Sequence, residues 1–133
     1  MEIIFEKVNI FQIGKDRIFL KSYSSIESLW LGNFLLEIGD RWVESFKEWA
    51  LNPQETYNSS NETYQEKENG YIYICDLFID DPRSGPCYEI SIANFIDLLD
   101  QWEKALATKP DSITITKEDN KLIVKTEHIQ LPS

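Results

Sequence analysis

Acidic side chains are concentrated between residues 76 and 103 of this 133-residue chain. That segment holds seven carboxylates and a single basic residue, Arg83, so its net charge is −6 within a chain whose formal net charge is −10. Carboxylates at this density are typical of a divalent-cation site, of an acid–base pair in a glycosidase, or of a surface that binds a basic partner. The seven are Asp76, Asp80, Asp81, Glu89, Asp97, Asp100 and Glu103.

The first two kinds of site have little support in the sequence. The run Asp80-Asp81-Pro82-Arg83 lacks the alternating ligand spacing of a calcium-binding loop. Nothing in the segment sets the separation that a pair of glycosidase carboxylates needs. Two interpretations remain, namely an ordinary solvated acidic surface and an electrostatic docking face for a basic protein.

Other groups that could carry out catalysis are scarce. His128 is the only histidine, so the chain cannot supply a two-histidine metal site, and no pattern in the sequence specifies a hydrolase triad around this residue. The five glycines are isolated and form no phosphate-binding loop. Cys75 and Cys87 lack the paired spacing of a zinc site and are too few for a disulfide framework, so we expect reduced, partly buried thiols. The sequence therefore predicts a protein that is not an enzyme and has no catalytic residue, metal or cofactor.

Composition limits the class of partner. A net charge of −10 repels phosphate backbones and anionic membrane surfaces, so we expect a basic protein partner, with no nucleic acid and no membrane. The N-terminus carries Glu2 and Glu6 and lacks the basic start and apolar core of a signal peptide. No apolar run approaches the roughly 20 residues that cross a bilayer. These features predict a soluble, cytoplasmic protein.

The clearest structural pattern covers residues 87–126. It predicts a short strand and then an amphipathic helix, which begins at Ser91 or Asn94 and ends before Pro110. A β-hairpin with its turn at residues 118–120 follows. At about 100° per residue, one side of the helix is apolar and has to be buried, and this side consists of Phe95, Leu98, Leu99, Trp102, Ala105 and Leu106.

The N-terminal half is less clearly patterned. Residues 2–23 are predicted to form a β-hairpin around the turn-forming Gly14-Lys15-Asp16. The spacing in residues 24–39 fits either a strand or a helix. A helix is predicted from about Asp40 to Leu51, with a start near Asn33 as the alternative.

Aromatic side chains in the same half, and the strand that follows it, give further expectations. Trp42 and Trp49 are seven residues apart, so they are predicted to share a buried helix face. Trp30 is predicted to be the most exposed of the four tryptophans. Residues 71–79 form the most β-prone run of the chain and predict a central strand.

Residues 52–70 are polar and lack aliphatic side chains, with Pro53 and Gly70 near their ends. We expect a long loop, which in a compact domain is either mobile or functional. Tyr57 and Tyr64 within it are either partner-binding anchors or ordinary surface residues, because tyrosine offers a large contact area at low entropy cost.

These elements together predict a single α+β domain over residues 1–133. Its strands are expected to form a mostly antiparallel sheet of about five or six strands, with two main helices packed on one face. No pattern in the sequence specifies an oligomeric state.

The block at residues 87–126 also resembles a known kind of protein. It is similar to the small immunity proteins of bacterial polymorphic and contact-dependent toxin systems. Such proteins are acidic, cytoplasmic and often α+β, and each binds a cognate toxin domain, commonly a nuclease, and blocks its active site or substrate access. The resemblance is carried by Tyr88-Glu89-Ile90-Ser91, Asn94-Phe95-Ile96, Leu98-Leu99, Trp102, Lys109-Pro110, Ile113-Thr114-Ile115 and Leu122-Ile123-Val124.

The resemblance implies an immunity protein that docks an acidic face on the basic active-site cleft of a toxin. A nuclease site is built to receive phosphate, so an acidic surface complements it. The alternatives are a structural or regulatory interaction module of a bacterial assembly and a small enzyme with a carboxylate-bound metal. The residues expected to bind the partner are Asp80, Asp81, Glu89, Asp97 and Asp100 as charge partners, with Tyr57 and Tyr64 as anchors.

Overall fold

The computed structural model of the protein describes residues 1–10 and 15–129. This part of the chain contains eight β-strands and three α-helices in an α+β arrangement. The strands are β1 (Glu2–Ile10), β2 (Lys15–Tyr23), β3 (Tyr57–Ser59), β4 (Thr63–Glu68), β5 (Tyr71–Asp76), β6 (Cys87–Ser91), β7 (Ser112–Glu118) and β8 (Lys121–Glu127). They form two antiparallel sheets, sheet A in the order β2-β1-β7-β8 and sheet B in the order β3-β4-β5-β6.

The predicted α+β class is confirmed, whereas the predicted single sheet of five or six strands with two main helices is wrong. Eight strands are divided equally between two sheets, and the helices are α1 (Ile26–Ile38), α2 (Val43–Leu51) and α3 (Ile92–Ala107). Both α1 and α3 contact strands of both sheets. Buried apolar side chains from the two sheets and the three helices accordingly form one core cluster.

Helix α1 occupies the segment that fitted both a strand and a helix. Its start is capped reciprocally, because Ser25 Oγ accepts a hydrogen bond from Ser28 N at 3.2 Å and Ser28 Oγ accepts one from Ser25 N at 3.0 Å. It ends at Gly39, where a φ of 53° suits glycine. All residues of α1 except Ile26 and Glu27 at its start are buried or half-buried, because the helix contacts both sheets. A helix that is covered on most sides shows little amphipathic period.

Helix α3 was predicted well. Ser91 is its N-cap, since Ser91 Oγ accepts a hydrogen bond from Asn94 N at 3.2 Å. Gln101 of α3 bonds to the backbone of β8, the edge strand of sheet A, at 2.9 and 3.0 Å. The helix thus covers an edge that would otherwise expose unpaired backbone groups. The predicted apolar side is confirmed, with Phe95, Leu98, Leu99, Trp102 and Ala105 buried.

The tryptophan predictions for α2 hold only in part. Trp49 is buried, but Trp42 is 48% exposed, so the prediction that they share a buried face is wrong. The predicted start of this helix was also too early, because α2 begins at Val43 and Trp42 is its N-cap with a φ of −108°. Helical spacing does not apply to a residue outside the helix. Trp30, predicted to be the most exposed tryptophan, is half-buried in α1.

Both predicted hairpins are confirmed. β1 pairs with β2. Gly14 of the expected turn lies outside the described residues, and Lys15 and Asp16, also expected in the turn, belong to β2 instead. β7 pairs with β8 so that Ile115 lies opposite Val124. The turn residues Asp119 and Asn120 have φ values of 48° and 67°, as a two-residue hairpin turn requires.

The predicted long loop at residues 52–70 is wrong, because this segment contributes β3 and β4. In β4, Thr63 and Gln65 point inward and are fully buried, although both are polar. The alternation of burial is that of an ordinary strand, but it is built from polar side chains and therefore carries no hydrophobic signal. The central strand predicted over residues 71–79 is confirmed for Tyr71–Asp76, which form β5 between β4 and β6, whereas residues 77–79 lie in the loop that follows.

Cys75 and Cys87 form a disulfide, so the predicted reduced thiols are wrong. The pairing of β5 with β6 places the two residues directly opposite each other, with their Cα atoms 4.4 Å apart. A disulfide can span that separation. A spacing of 12 residues along the chain does not reveal that the two strands are neighbours. The bond closes the base of the loop formed by residues 77–86.

Candidate functional site

Most of the predicted partner-binding residues meet on the outer surface of sheet B. The inner surface of this sheet carries buried residues such as Ile72, and the outer surface is the opposite one. Because directly paired residues share a side of the sheet, one row of side chains crosses all four strands on the outer surface. That row consists of Tyr57, Glu66, Tyr73 and Glu89.

Loop 77–86, which connects β5 to β6, is fastened to this surface by Arg83. The Arg83 guanidinium carbon lies 3.7 Å from the centroid of the Tyr73 ring. Arg83 Nη1 donates a hydrogen bond to Glu66 Oε2 and lies 3.5 Å from Glu68 Oε2. Stacking and ion pairing together hold the loop in place. We call the outer surface of sheet B together with loop 77–86 the acidic face.

The two basic side chains in this part of the molecule both have partners within the fold. Residues 57–91 contain seven carboxylates and two basic residues, Lys67 and Arg83. Lys67 Nζ donates hydrogen bonds to Trp49 O at 2.6 Å and to Asn52 O at 2.5 Å, at the end of α2, where the helix dipole favours a cation. Burial lowers the pKa of Lys67. With Arg83 also ion-paired, neither cation is available to a partner, and the acidic face presents net negative charge.

Three of the predicted charge partners lie on the acidic face with their carboxylates free. Asp80 and Asp81 are exposed in loop 77–86, and Glu89 is exposed on β6. None of the three carboxylates has an ion-pair partner among the residues that the structure describes. Their charge is therefore directed to solvent and available to a basic partner.

Both predicted tyrosine anchors lie on the same face and touch each other. Their rings are stacked, with centroids 6.1 Å apart and an interplanar angle of 27°. Tyr57 is 64% exposed, while Tyr64 donates a hydrogen bond to Glu66 Oε1 at 2.8 Å. Burial, and then Glu66, raise the pKa of the Tyr64 phenol, which keeps it a neutral donor. Tyr57 is thus the more exposed of the two rings, and Tyr64 packs against it.

Asp97 and Asp100 are not part of this surface, because they lie on α3. Asp100 Oδ1 accepts a hydrogen bond from Lys47 Nζ at 2.6 Å, which joins α3 to α2. This bond raises the pKa of Lys47. Asp97 Oδ2 accepts one from Gln101 Nε2 at 2.8 Å. Both carboxylates therefore have partners within the fold, unlike those of Asp80, Asp81 and Glu89.

Known proteins offer no template for the acidic face. The chain matches no family model, no curated protein and no solved structure. The similarity to immunity proteins therefore stays a prediction. Within residues 1–10 and 15–129, no helix is long and apolar enough to cross a membrane, and no group of three or more His, Cys, Asp or Glu side chains is placed to hold a metal ion.

Two grooves of about 490 Å³ each border sheet B. One lies beside the edge strand β6 and is lined by Tyr88 and Glu89, with Lys117 on the opposite wall. The other separates the exposed Trp42 from Asn58 in β3. Sequence reasoning missed both grooves, because their walls come from elements that are far apart in the chain.

A partly buried polar network supports the wall of the second groove. The Glu37 carboxylate accepts hydrogen bonds from Ser60 Oγ at 2.6 Å, Glu62 N at 2.7 Å and Thr63 Oγ1 at 3.0 Å. Thr63 Oγ1 in turn accepts one from Gln65 Nε2 at 2.7 Å. One side chain of α1 thus satisfies the polar groups of the β3–β4 turn and holds β3 and β4 in place.

Replacing Glu37 with alanine is expected to lower the free energy of unfolding by about 1–3 kcal/mol, because the turn loses the carboxylate that accepts hydrogen bonds from Ser60 Oγ, Glu62 N and Thr63 Oγ1. Urea unfolding followed by circular dichroism measures this change. Glu27→Ala is the matched control, since Glu27 is an exposed acid in the first turn of α1, and we expect it to cost less than about 1 kcal/mol. Equal losses in the two variants would show that Glu37 does not hold the turn.

Proposed function

We propose that this protein is not an enzyme and binds a protein partner by docking its acidic face on a basic surface of that partner. One observation carries the proposal. Asp80, Asp81 and Glu89 have free carboxylates, while Lys67 and Arg83 are both occupied within the fold. A surface of this kind attracts Lys- and Arg-rich proteins and repels phosphate backbones.

The resemblance of residues 87–126 to bacterial immunity proteins suggests which partner this is. We propose a cognate toxin domain, and specifically a nuclease, because a cleft that receives phosphate is lined with basic side chains. In the complex, Asp80, Asp81 and Glu89 meet Lys or Arg side chains, and Tyr57 packs on the partner. The bound toxin then loses access to its substrate.

The Cys75–Cys87 disulfide bears on the cellular compartment in which the protein acts. The cytoplasm keeps most thiols reduced, whereas an oxidising compartment such as the bacterial periplasm preserves disulfides. A cytoplasmic location, as expected from the sequence, would therefore leave these cysteines as thiols in the cell. An oxidising location would keep loop 77–86 closed at its base.

Calorimetric titration tests the proposal directly. The titrant is the purified C-terminal domain of a large secreted protein encoded beside this chain, and the titration is run at two salt concentrations. We expect nanomolar or tighter binding that weakens as salt rises, because exposed charges are screened. No detectable binding would contradict the proposal.

Reversing one charge of the acidic face should weaken this binding. We expect Glu89→Lys to slow association by roughly tenfold and to reduce the dependence of affinity on salt, because steering charges act mainly on the association rate. Asp97→Lys is the matched control, with the same charge change at an exposed site on α3. Stopped-flow kinetics measures both variants. An equal effect of Asp97→Lys would extend the docking surface to α3, as the sequence had predicted.

A further inference from the structure

Loop 77–86 of the acidic face displays a large apolar side chain. Phe78 is 73% exposed, the highest value among the large hydrophobic residues that the structure describes. A single exposed apolar residue is ordinary on a protein surface. Phe78 differs from that case because the loop around it is held in one conformation by several independent contacts.

The base of the loop is closed by the Cys75–Cys87 disulfide, and Phe78 N donates a hydrogen bond to Asp76 Oδ1 at 2.9 Å. Further along the loop, Ser84 Oγ donates one to Asp81 O at 2.6 Å. Arg83 then fastens the loop to sheet B through its stacking on the Tyr73 ring and its ion pair with Glu66. Both ends and the middle of the loop are therefore restrained.

The side chain beside Phe78 packs back onto the loop. A Cβ added at Gly85 would lie 2.6 Å from Ile79 Cδ1, so the Ile79 side chain occupies the space that the missing side chain leaves. The Ile79 side chain thus packs against Gly85 and is 37% exposed, whereas the Phe78 side chain is 73% exposed. A loop backbone that is held in place before binding loses less conformational entropy on binding, so more of the contact energy of the side chain that it carries appears as affinity.

The charges next to Phe78 indicate what kind of pocket would receive it. Asp80 and Asp81 follow it within three residues and have free carboxylates, and Arg83, the only base of the loop, is ion-paired. A partner that buries the ring must also accept these two negative charges at its rim. Apolar anchors surrounded by polar contacts are the usual centre of a protein interface.

We propose that loop 77–86 is the docking loop of the acidic face, and that Phe78 inserts into an apolar pocket whose rim carries Lys or Arg side chains. The partner is a protein, because a ring framed by two carboxylates matches such a pocket and is repelled by nucleic acid and by anionic lipid. This inference rests on the proposed function, to which it adds the anchor residue and the shape of the partner site.

The experiment compares Phe78→Ala with Leu51→Ala in calorimetric titrations against the same secreted C-terminal domain. Leu51 is the matched control, since it is 67% exposed but lies at the end of α2 and not on the acidic face. We expect Phe78→Ala to weaken binding roughly 30-fold or more and Leu51→Ala by less than about threefold. Because the removed group is uncharged, the dependence of affinity on salt should not change in Phe78→Ala. Circular dichroism should show both variants folded, as neither side chain is buried.

Two results would overturn the inference while the proposed function stands. One is salt-dependent binding of the wild-type protein with Phe78→Ala unchanged, and the other is an equal loss in Phe78→Ala and Leu51→Ala. A wild-type protein that does not bind the secreted domain would overturn the proposed function and this inference together. A large, salt-independent loss confined to Phe78→Ala supports the docking loop.

Discussion

Trp102→Ala is expected to lower the free energy of unfolding by about 3–5 kcal/mol, because a large aromatic side chain would leave a cavity in the core. Trp102 is 1% exposed, and its ring centroid lies 4.9 Å from that of Phe5 in sheet A. Its indole Nε1 also donates a hydrogen bond to Gly39 O at 3.2 Å. The substitution thus removes a contact between α3, sheet A and the end of α1. Urea unfolding followed by circular dichroism measures the loss.

Trp42→Ala is the natural control, because Trp42 is the same residue type but 48% exposed. The guanidinium carbon of Arg41 lies 5.1 Å from the centroid of the Trp42 ring. We expect this variant to lose less than about 1 kcal/mol. Trp102→Phe keeps an aromatic ring while it removes the indole donor, so its loss should fall between the two. A loss for Trp102→Ala no larger than that for Trp42→Ala would contradict the packing described for α3.

These two tryptophans also show which parts of the fold a sequence can predict. Trp102 lies within a long amphipathic helix, and the N-cap residue of this helix, Ser91, immediately precedes it in the chain. Local signals were therefore sufficient to predict the helix. The hairpins were predictable for the same reason, because turn residues such as Asp119 and Asn120 lie between alternating strands. Trp42 lies between two helices, and its exposure depends on where α2 begins, which spacing alone did not show.

The rest of the fold depends on information that is not local. In β4 the buried positions are occupied by Thr63 and Gln65. The Thr63 hydroxyl bonds to Glu37 of α1 and accepts a hydrogen bond from Gln65 Nε2, while Gln65 Oε1 has no partner among the described residues. Without Glu37 as a partner, the same residues indicate a polar loop. One local signal was present nonetheless, since Asn69-Gly70 has φ values of 52° and 83° and forms the two-residue turn between β4 and β5.

The candidate site was predictable in composition but not in shape. Asp80, Asp81 and Glu89 were expected from charge density, and the structure places them on one face together with the two tyrosines. Asp97 and Asp100 were expected for the same reason but lie apart from this face, because the sequence predicts the helix that carries them and not where that helix packs relative to sheet B. Phe78 was missed, since it lies in a β-prone run where an apolar residue predicts a buried strand.

Removing the disulfide is expected to lower the free energy of unfolding by about 3 kcal/mol, because the closed loop spans 12 residues and its closure restricts the unfolded chain. The suitable variant is Cys75→Ala combined with Cys87→Ser. Cys75 is fully buried, so a hydroxyl there would need a partner, whereas Cys87 Sγ lies 3.3 Å from Pro82 O, which a serine hydroxyl could use. Urea unfolding measures the change in stability.

The same variant should loosen loop 77–86 more than any other part of the fold, because the disulfide closes its base while Arg83 still fastens its centre. Hydrogen exchange detected by mass spectrometry should therefore be faster in this loop and unchanged in sheet A. Treating the wild-type protein with a dithiol reductant is the control, and it should reproduce both effects, while the variant should not respond to the reductant. A wild-type protein with two alkylatable thiols before reduction would contradict the disulfide. If this variant also binds the partner more weakly, the disulfide has to be oxidised for loop 77–86 to hold Phe78 in the position that binds.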